Sequence, residues 1–458
     1  MKLSDLLIEL LQSLDARQGR YAELERYVTG SQPLAFISPE SRKALGNRLS
    51  LMCSNIPALA VSSLVERLRI TGFSDRRAFD LFLAADLDQR APEAMADALT
   101  YGTGYVLVWG RDGAPVATVE RPQQVSVLRD PADRSVMAGV KRFRTKATTE
   151  AYVYLPDRVE HWQAKTPGAA TAGFALIGVV EHNLGAVPLV PLDNGQLIPD
   201  SSTPAYVGRM HGRSEVTDLM PLVDALNKLL LDMMTASEAA GKPRRWISGL
   251  ELTERPVTDD DGNPVLDDDG NPVIETTSPI SDVNVIQTMI AESPDTKFGQ
   301  LPASDLSGFR EGVQVILSQL MAVSALPSHY LGILTTQPSS ADALRASEAS
   351  LTARAEQRQL TFGRSWEQVA RLLLAVDSGA GVADVPSPRV QWAEAATRSV
   401  AQEADAVVKL VQAGILPVTY ALAKLGYSAD EIAAIRSAKR AEVLDSQGVG
   451  VGLTDEPL

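Results

Sequence analysis

The sequence predicts an α+β fold that is mainly helical. Two segments, Pro221 to Ala240 and Ser304 to Ala325, carry apolar residues at helical spacing and enclose an acidic, turn-rich insert. Residues 101–195 instead contain short runs that are typical of strands, and Ala341 to Val376 is an almost unbroken helical pattern. This order of elements predicts several connected modules rather than the single core of an enzyme.

Length and composition limit the class of protein. A chain of 458 residues exceeds what one compact core usually holds, so we expect roughly two to four modules. The 45% apolar and 22% charged fractions are typical of a soluble protein. No long apolar run and no signal-peptide pattern occurs, so we expect a cytoplasm-like compartment and no membrane contact. The single cysteine, Cys53, excludes an internal disulfide and is interpreted as a small buried residue.

The negative charge is concentrated in the insert. The chain carries a net charge of −14, and residues 251–300 hold twelve acidic residues against two basic ones, a net of −10. The remainder is therefore close to −4. Tight, sequence-reading binding of DNA usually needs a basic footprint, which this chain lacks.

The N-terminal half begins with helices and continues with strands. Helices are predicted over residues 3–29 and 40–70 and from Ser74 to Thr100. A hairpin follows, in which Tyr105 to Trp109 and Val116 to Val119 flank a turn. Further strand-like runs are Gln124 to Leu128, Val136 to Arg144, Ala151 to Tyr154 and Ala175 to Val180.

The C-terminal part is helical again after one short strand. Arg389 to Trp392 is predicted to be a strand that rejoins the sheet of the β-rich part. Ala395 to Leu444 is predicted to be helical, with stops at Gly414 and Gly426. A DNA-reading helix-turn-helix is disfavoured here because acidic residues offset the basic ones. Residues 445–458 are predicted to be a flexible tail.

The insert contains a near-repeat of Asp-Asp-Asp-Gly-Asn-Pro-Val, which starts at Asp259 and again at Asp267. A calcium loop needs an oxygen ligand at its first position. With Gly262 or Gly270 as the sixth residue, that position is Val257 or Val265. Each Asp-Gly-Asn-Pro is better interpreted as a turn between short strands, because glycine takes the positive φ and proline fixes the exit.

The sequence also lacks the motifs of nucleotide binding, nucleophilic catalysis and metal binding by histidine. Gly241-Lys242 is followed by Pro243, so no phosphate-binding loop is present. No Gly-x-Ser-x-Gly elbow occurs. The four histidines fall in no metal-ligand spacing; they are His161, His182, His211 and His329. We therefore predict no catalytic residue, no metal site and no cofactor.

A series of short phrases is spread along the chain. The phrases are Glu25-Arg26-Tyr27 with Gly30, Asn55, Gly72-Phe73, Gly185 to Pro191 with Asn194, Gly212 to Leu219, Asp224 to Lys228, Pro243 to Gly249, Leu326 to Gly332 and Ser339 to Arg345. In this order they resemble the portal proteins of long-tailed bacteriophages, the head-tail connector family whose ring is the route of DNA into and out of the capsid.

The resemblance implies a portal fold with a β-rich wing, a helical stem, a small clip module, a long kinked helix and a helical crown. The implied division of this chain is wing 1–212, stem helix 213–242, clip 243–303, stem helix 304–325, channel loop 326–340, long helix and return strand of the wing 341–394, crown 395–444 and flexible tail 445–458.

The resemblance also implies a function that is structural rather than enzymatic. It implies a closed ring of twelve subunits at one capsid vertex, in the virion, after assembly in the host cytoplasm. Double-stranded DNA would pass through the ring without sequence specificity during packaging and ejection. Further implied partners are the terminase large subunit, head-completion or adaptor and tail proteins, the major capsid protein and a scaffolding protein.

Two groups of residues are candidates for these roles. Uncharged polar residues of the loop are expected to line the DNA channel, because they contact phosphates without the grip of a basic loop; they are Thr335, Thr336, Gln337, Ser339 and Ser340. The aspartates of the insert are expected to dock the motor or an adaptor; they are Asp259, Asp260, Asp261, Asp267, Asp268 and Asp269. The alternatives are a surface loop outside the ring and a merely solvated acidic surface.

Two rival interpretations of the whole chain stay open. One is a metal-dependent nuclease or hydrolase that uses the Asp-rich insert, and cleavage that depends on a divalent ion would identify it. The other is a head-tail adaptor that forms a ring without contacting a motor, although adaptors are usually much shorter.

Overall fold

The structure is a computed structural model that describes residues 3–34, 53–195, 197–199, 210–241, 245–248, 253–258, 263–266, 270–277, 295, 297–300, 307–332, 341–396, 400–427 and 429–448. Its composition of 50% helix and 22% strand confirms the predicted α+β fold with a majority of helix. The chain forms two compact units. The sheet unit comprises residues 1–18, 61–214 and 325–458, and the helix-pair unit comprises residues 19–60 and 215–324.

The helices are numbered in chain order. They are α1 (Leu3–Ala16), α2 (Gln18–Thr29), α3 (Ile56–Val65), α4 (Arg76–Ala84), α5 (Leu87–Tyr101), α6 (Met220–Gly241), α7 (Ser307–Ser324), α8 (Ala341–Ser378), α9 (Val400–Gln412), α10 (Val418–Lys424) and α11 (Ala429–Gly448). The helical predictions for α6, α7 and α8 are confirmed, as are the three pieces of the C-terminal part. Gly414 and Gly426 have positive φ, as their role of helix stop requires.

Some predicted helices were too long. The single helix predicted for residues 3–29 is two helices, α1 and α2, which meet at Arg17. The helix predicted from Ser74 to Thr100 is also two, α4 and α5, because Asp86 takes a positive φ of 54° between them. An apolar repeat carries no sign of such a short break. At the other end, α11 continues to Gly448, past the predicted end of the helical part.

The strands are numbered in the same way. They are β1 (Ile70–Phe73), β2 (Thr103–Arg111), β3 (Ala114–Glu120), β4 (Val125–Arg129), β5 (Val136–Arg144), β6 (Thr149–Tyr154), β7 (Arg158–Ala164), β8 (Phe174–Glu181), β9 (Leu189–Asp193), β10 (Ile198–Pro199), β11 (Met210–His211), β12 (Arg245–Ser248), β13 (Thr253–Pro256), β14 (Ile274–Thr277), β15 (Lys297–Gln300) and β16 (Val390–Trp392). The hairpin predicted around Gly113 is β2–β3.

The core of the sheet unit lies on both faces of a five-stranded antiparallel sheet, in the order β4-β5-β6-β7-β8. On one face, Leu10 and Leu11 of α1 pack against Val140 and Val153. On the other face, the sheet packs against the three-stranded sheet β3-β2-β9, where residues such as Leu189 are buried. Successive residues of each central strand point to opposite faces of the sheet, so they alternate between the cluster under α1 and the cluster under β3-β2-β9.

A stack of side chains crosses the sheet between β5, β6 and β7. The Tyr152 ring is parallel to the imidazole of His161 at 4.5 Å and to the Phe143 ring at 6.0 Å. Beside it, Glu150 accepts hydrogen bonds from Thr148 and Gln163 and contacts His161 Nε2 at 2.7 Å. These hydrogen bonds, that of Thr148 above all, hold the pKa of Glu150 below its usual range. Cross-strand pairs of this kind favour a single register.

The long helix α8 forms the other part of the core. Phe362, Trp366 and Leu373 are fully buried, and Trp366 meets Phe82 of α4 edge to face at 5.8 Å. The strand predicted at Arg389 to Trp392 exists as β16, but it pairs antiparallel with β1 in a separate two-stranded sheet. It does not join the strands of residues 101–195, because its partner lies between α3 and α4.

The helix-pair unit contains α2, the pair α6 and α7, and the insert between α6 and α7. The described part of the insert consists of successive antiparallel pairs, β12 with β15 and β13 with β14. Beyond β13, the peptide groups of Val257, Val265 and Val273 form a closed cycle of hydrogen bonds of 2.7–2.8 Å. The residues that flank each predicted turn are bridged, Thr258 to Pro264 and Leu266 to Pro272, as the turn interpretation requires.

Candidate functional site

The two helices of the pair pack closely at a glycine. A Cβ atom added to Gly312 of α7 would lie 3.2 Å from Leu229 Cδ1 of α6. A larger residue would push the helices apart or displace Leu229, so the small residue permits close packing. This contact places the two predicted apolar stripes side by side within the helix-pair unit.

The two stripes are only partly covered. In α6, Val223, Leu226 and Leu231 are buried, but Met234 is 46% exposed. In α7, Leu320 of the stripe is buried, and on the opposite face of the helix the apolar side chain of Val315 is 62% exposed. The remaining members of the stripes are half-buried; they are Leu222, Leu229, Leu230, Met233, Phe309, Val313, Ile316 and Leu317. An amphipathic helix normally hides such a stripe, so these helices have more apolar surface than their own unit covers.

Polar contacts fix the first turns of α6 within its unit. The Tyr27 hydroxyl donates to Asp224 Oδ2 at 2.8 Å, and the Ser54 amide donates to Asn227 Oδ1 at 2.8 Å. Burial, followed by the hydrogen bond to Asp224, raises the pKa of the Tyr27 hydroxyl, so it stays a donor at neutral pH. The phrases that contain Tyr27 and Asp224 are distant in sequence, and the fold brings them into contact.

In the sheet unit, the backbones of two glycines are in close contact where the chain leaves β11. A Cβ atom on Gly212 would lie 2.0 Å from the carbonyl oxygen of Gly102, and one on Gly102 would lie 2.1 Å from that of Gly212. The Asn194 side chain donates to Arg213 O at 2.6 Å, and the Ser214 hydroxyl donates to Thr100 O at 2.5 Å. The phrase Gly212-Arg213-Ser214 is therefore explained by two backbones in van der Waals contact.

A buried ion pair lies next to the contact between Gly102 and Gly212. Arg129 contacts Asp193 Oδ2 at 2.5 Å, and the Thr103 hydroxyl donates to Asp193 Oδ1 at 3.0 Å. Burial raises the pKa of Asp193, although Arg129 and Thr103 favour its ionised form. The Thr103 hydroxyl in turn accepts the amide N–H of Gly212 at 3.1 Å, which connects the ion pair to the glycine contact.

A cluster of polar groups surrounds Arg67 in the sheet unit. Its guanidinium donates to Ala395 O at 2.9 Å and to the Tyr330 hydroxyl at 3.2 Å, and it pairs with Glu348 Oε2 at 3.1 Å. The other carboxylate oxygen of Glu348 lies 3.4 Å from His329 Nε2. The Arg67 and Glu348 side chains are only 9% and 13% exposed.

The residues predicted for the DNA channel and for docking lie outside the described residues. This applies to Thr335, Thr336, Gln337, Ser339 and Ser340 and to Asp259, Asp260, Asp261, Asp267, Asp268 and Asp269. Their described neighbours are the turn Ser328–Leu331 and α8 for the first group and the valine cycle for the second. In the part of the chain that the structure describes, no group of His, Cys, Asp and Glu has the arrangement of a metal site. None of the helices in that part is both long and apolar enough to span a bilayer.

Sequence reasoning gave no role to Arg67, Arg129, Asp193 or Glu348. Single charged residues in helical or strand-like segments look like solvated surface, and their burial depends on contacts between distant segments. For Glu348 the sequence contained one indication, because this residue closely follows Ala341 to Arg345, the part of the phrase Ser339 to Arg345 that lies in α8.

The chain is similar to known proteins over most of its length. Residues 43–443 match the family described as phage portal protein, SPP1 Gp6-like. The chain is 28% identical over 399 residues to the portal protein of Mycobacterium phage L5 and 28% identical over 401 residues to that of Mycobacterium phage D29. Each alignment covers 82% of this chain and 76% of the relative.

Among solved structures, the chain is similar to chains of gene transfer agent particles. One is the neck of an empty particle, with a TM-score of 0.44 and 14% identity over 87% of this chain and 96% of that chain. Another is the virion of the native particle, with a TM-score of 0.43 and 12% identity over 89% of this chain and 93% of that chain.

Proposed function

Because the chain belongs to the SPP1 Gp6-like family of phage portal proteins, we propose that it forms a closed ring, of twelve subunits, at one vertex of a phage head. In this function the ring conducts double-stranded DNA into the head and out of it. It also docks the terminase motor during packaging and head-completion and tail proteins afterwards. The protein acts by geometry and charge and catalyses no reaction.

The partly covered helix pair is the observation that carries the ring proposal. Apolar residues of α6 and α7, including the exposed Met234 and Val315, lack cover within their own unit. Apolar side chains that a subunit leaves exposed are available to an interface with another molecule. In a cyclic array each subunit presents the same two helices to its neighbours, so one pair of surfaces is sufficient to close the ring.

The division of the chain follows from the same proposal. We assign α6 and α7 to the stem, residues 243–303 to the clip, residues 326–340 to the channel loop, α8 to the long helix and α9 to α11 to the crown. The remaining N-terminal part forms the wing. The loop residues named above then face DNA with hydroxyl and amide groups, and the ring needs no basic grip on the phosphates.

The clip combines two chemistries that suit a protein partner. Six aspartates of the near-repeat give it negative charge. Described apolar side chains between the two aspartate triplets and just after the second are exposed; they are Val265, Leu266, Val273 and Ile274. A partner segment with basic and apolar residues complements both, and we infer that the motor and the adaptor present such a segment.

The test of this function is the mass of the purified protein without nucleic acid. We expect light scattering at micromolar concentration to give a mass many times the 49.1 kDa of one chain, in a single species. Images of that species should show rotational symmetry about a central opening. A protein that stays monomeric when concentrated would contradict the ring and, with it, the role in conducting DNA.

A further inference from the structure

Residues 333–340 separate two described segments that meet the same side chain. Before them, Tyr330 lies in the turn Ser328–Leu331 and accepts a hydrogen bond from Arg67. After them, Glu348 lies about two turns into α8 and pairs with Arg67. One guanidinium therefore contacts the chain on both sides of residues 333–340.

Further contacts restrict the position of this guanidinium. Arg67 also donates to Ala395 O, just beyond β16. The Gln359 side chain donates to the carbonyl oxygens of Arg67 and Ala393, at 3.1 and 3.0 Å. The backbone that carries Arg67 is thus attached to the middle of α8, and the side chain acts from a fixed base.

The chemistry of the cluster makes it sensitive to the loss of either charge. Both carboxylate oxygens of Glu348 are engaged, one by Arg67 and one by the imidazole of His329. Both charged side chains are largely buried. Removing one partner of such a pair leaves the other charge without compensation, so the local structure has to open to rehydrate it.

We propose that Arg67 and Glu348 are positioning residues that hold the two chain ends flanking residues 333–340 at a fixed separation. The consequence for DNA rests on the function proposed above, in which residues 333–340 belong to the channel loop 326–340. In a ring of identical subunits, ends that are held alike present the loops at the same radius around the axis. Loosely held ends present them unequally, and the passage of DNA is hindered.

Hydrogen–deuterium exchange of the full-length protein tests the positioning role directly. In Arg67→Gln and in Glu348→Gln, we expect amides of residues 328–332 and 341–348 to exchange about tenfold faster, with β5 to β7 unchanged. The matched control is Arg77→Gln. Arg77 forms an exposed pair with Asp377 at the other end of α8, at 2.9 and 2.6 Å, so exchange in the two segments should stay as in the wild type.

Two further variants keep the test decisive. The double variant Arg67→Gln/Glu348→Gln removes both charges of the pair. The increase in its amide exchange rate should therefore be smaller than the increases in the two single variants combined. Tyr330→Phe removes one hydrogen-bond acceptor and should accelerate exchange in residues 328–332 alone. If Arg67→Gln fails to fold, Tyr330→Phe still decides the matter. Unchanged exchange at residues 328–332 in Tyr330→Phe, or at both segments in a folded Arg67→Gln, would overturn the proposal.

Packaging by assembled heads separates this proposal from the function on which it rests. Thr335→Lys/Thr336→Lys places cations in the loop itself, so packaging should slow if the loop lines the channel, and more strongly at low salt. Arg67→Gln should slow packaging while the mass of the ring stays the same. If exchange accelerates in Arg67→Gln but neither variant affects packaging, the positioning role stands and the channel assignment fails.

Discussion

In the sheet unit, Phe362, Trp366 and Leu373 of α8 are fully buried by residues of the same chain, whereas in the helix-pair unit most apolar residues of α7 are half-buried or exposed. Both helices carry an apolar stripe at helical spacing. The stripe of α8 meets α4, β2 and β9, while that of α7 meets mainly α6. The sheet unit thus has a core that its own residues bury, and the helix pair has apolar side chains that stay exposed.

The two units also differ in how far their polar groups are buried. The sheet unit buries ion pairs, such as Arg129 with Asp193, that are completed by further hydrogen bonds. Such pairs tolerate little displacement, because a separated partner leaves a buried charge. In α7 the described polar residues are mostly exposed. A unit with a buried core of its own and a unit whose helices leave apolar side chains exposed should therefore respond differently to substitution.

The largest difference is expected at two glycines. Gly212→Ala inserts a Cβ 2.0 Å from Gly102 O and 2.5 Å from Asn194 N, both backbone atoms, so we expect the protein not to reach a folded state. Gly308→Ala, at the start of α7, meets no atom within 4 Å and should leave stability the same or raise it by up to about 1 kcal/mol. Thermal melts and soluble yield compare the two. A folded Gly212→Ala protein with wild-type stability would contradict the contact between Gly102 and Gly212.

A smaller but still large effect is expected within α8. Phe362→Ala removes a ring with no solvent exposure and should reduce the free energy of unfolding by about 3–5 kcal/mol. The matched control is Leu360→Ala in the same helix, where the side chain is 78% exposed, and its effect should stay within about 0.5 kcal/mol. Urea denaturation of the dissociated subunit measures both. Equal effects would mean that the core of the sheet unit has been misassigned.

The third effect should be visible only in the assembly. Val315→Asp places a charge on the exposed face of α7, opposite its apolar stripe, so the melting temperature of the dissociated subunit should hardly change. The ring should dissociate at a protein concentration at least about tenfold higher than the wild type, because a charge would have to be buried against the neighbour. Light scattering over a dilution series measures this. Unaltered dissociation would remove Val315 from the interface.

The long elements of this fold were predictable because they repeat a strong local signal. The apolar stripes of α6 and α7, the almost unbroken helical pattern of α8 and the strand-like runs of the β-rich part were all found from the sequence. The breaks at Arg17 and Asp86 were not, since each depends on a single residue. The partner of β16 was also missed, because strand pairing between residues 70 and 392 is decided by tertiary packing.

The candidate site was less predictable than the fold. The phrases that contain Asn194, Gly212 and Tyr27 were found, but the contacts that give them a role were not. The Arg67 cluster needs residues from segments that are far apart in the chain, and a lone arginine resembles any solvated surface residue. The loop and aspartate assignments stay predictions, since those residues lie outside the described ranges.

The smallest effect should come from Glu150, and it should not depend on assembly. Its pKa is held below the usual range, so the carboxylate contributes stability above the ordinary pKa of glutamate and loses it as the pH falls through the lowered value. Glu150→Gln should therefore be less stable than the wild type at pH 7, by less than about 1 kcal/mol, and the difference should shrink below about pH 4. The hydrogen-bond partners of Glu150 lie in the turn before β6 and on β7 of the same chain; they are Thr148, His161 and Gln163. The difference between the two proteins should consequently be identical in diluted and concentrated samples, whereas that of Val315→Asp should grow with concentration. Chemical denaturation at pH 7 and pH 3.5, repeated at two protein concentrations, measures it. A difference that grows on acidification would contradict the lowered pKa of Glu150, and a difference that changes with concentration would show that Glu150 acts between subunits.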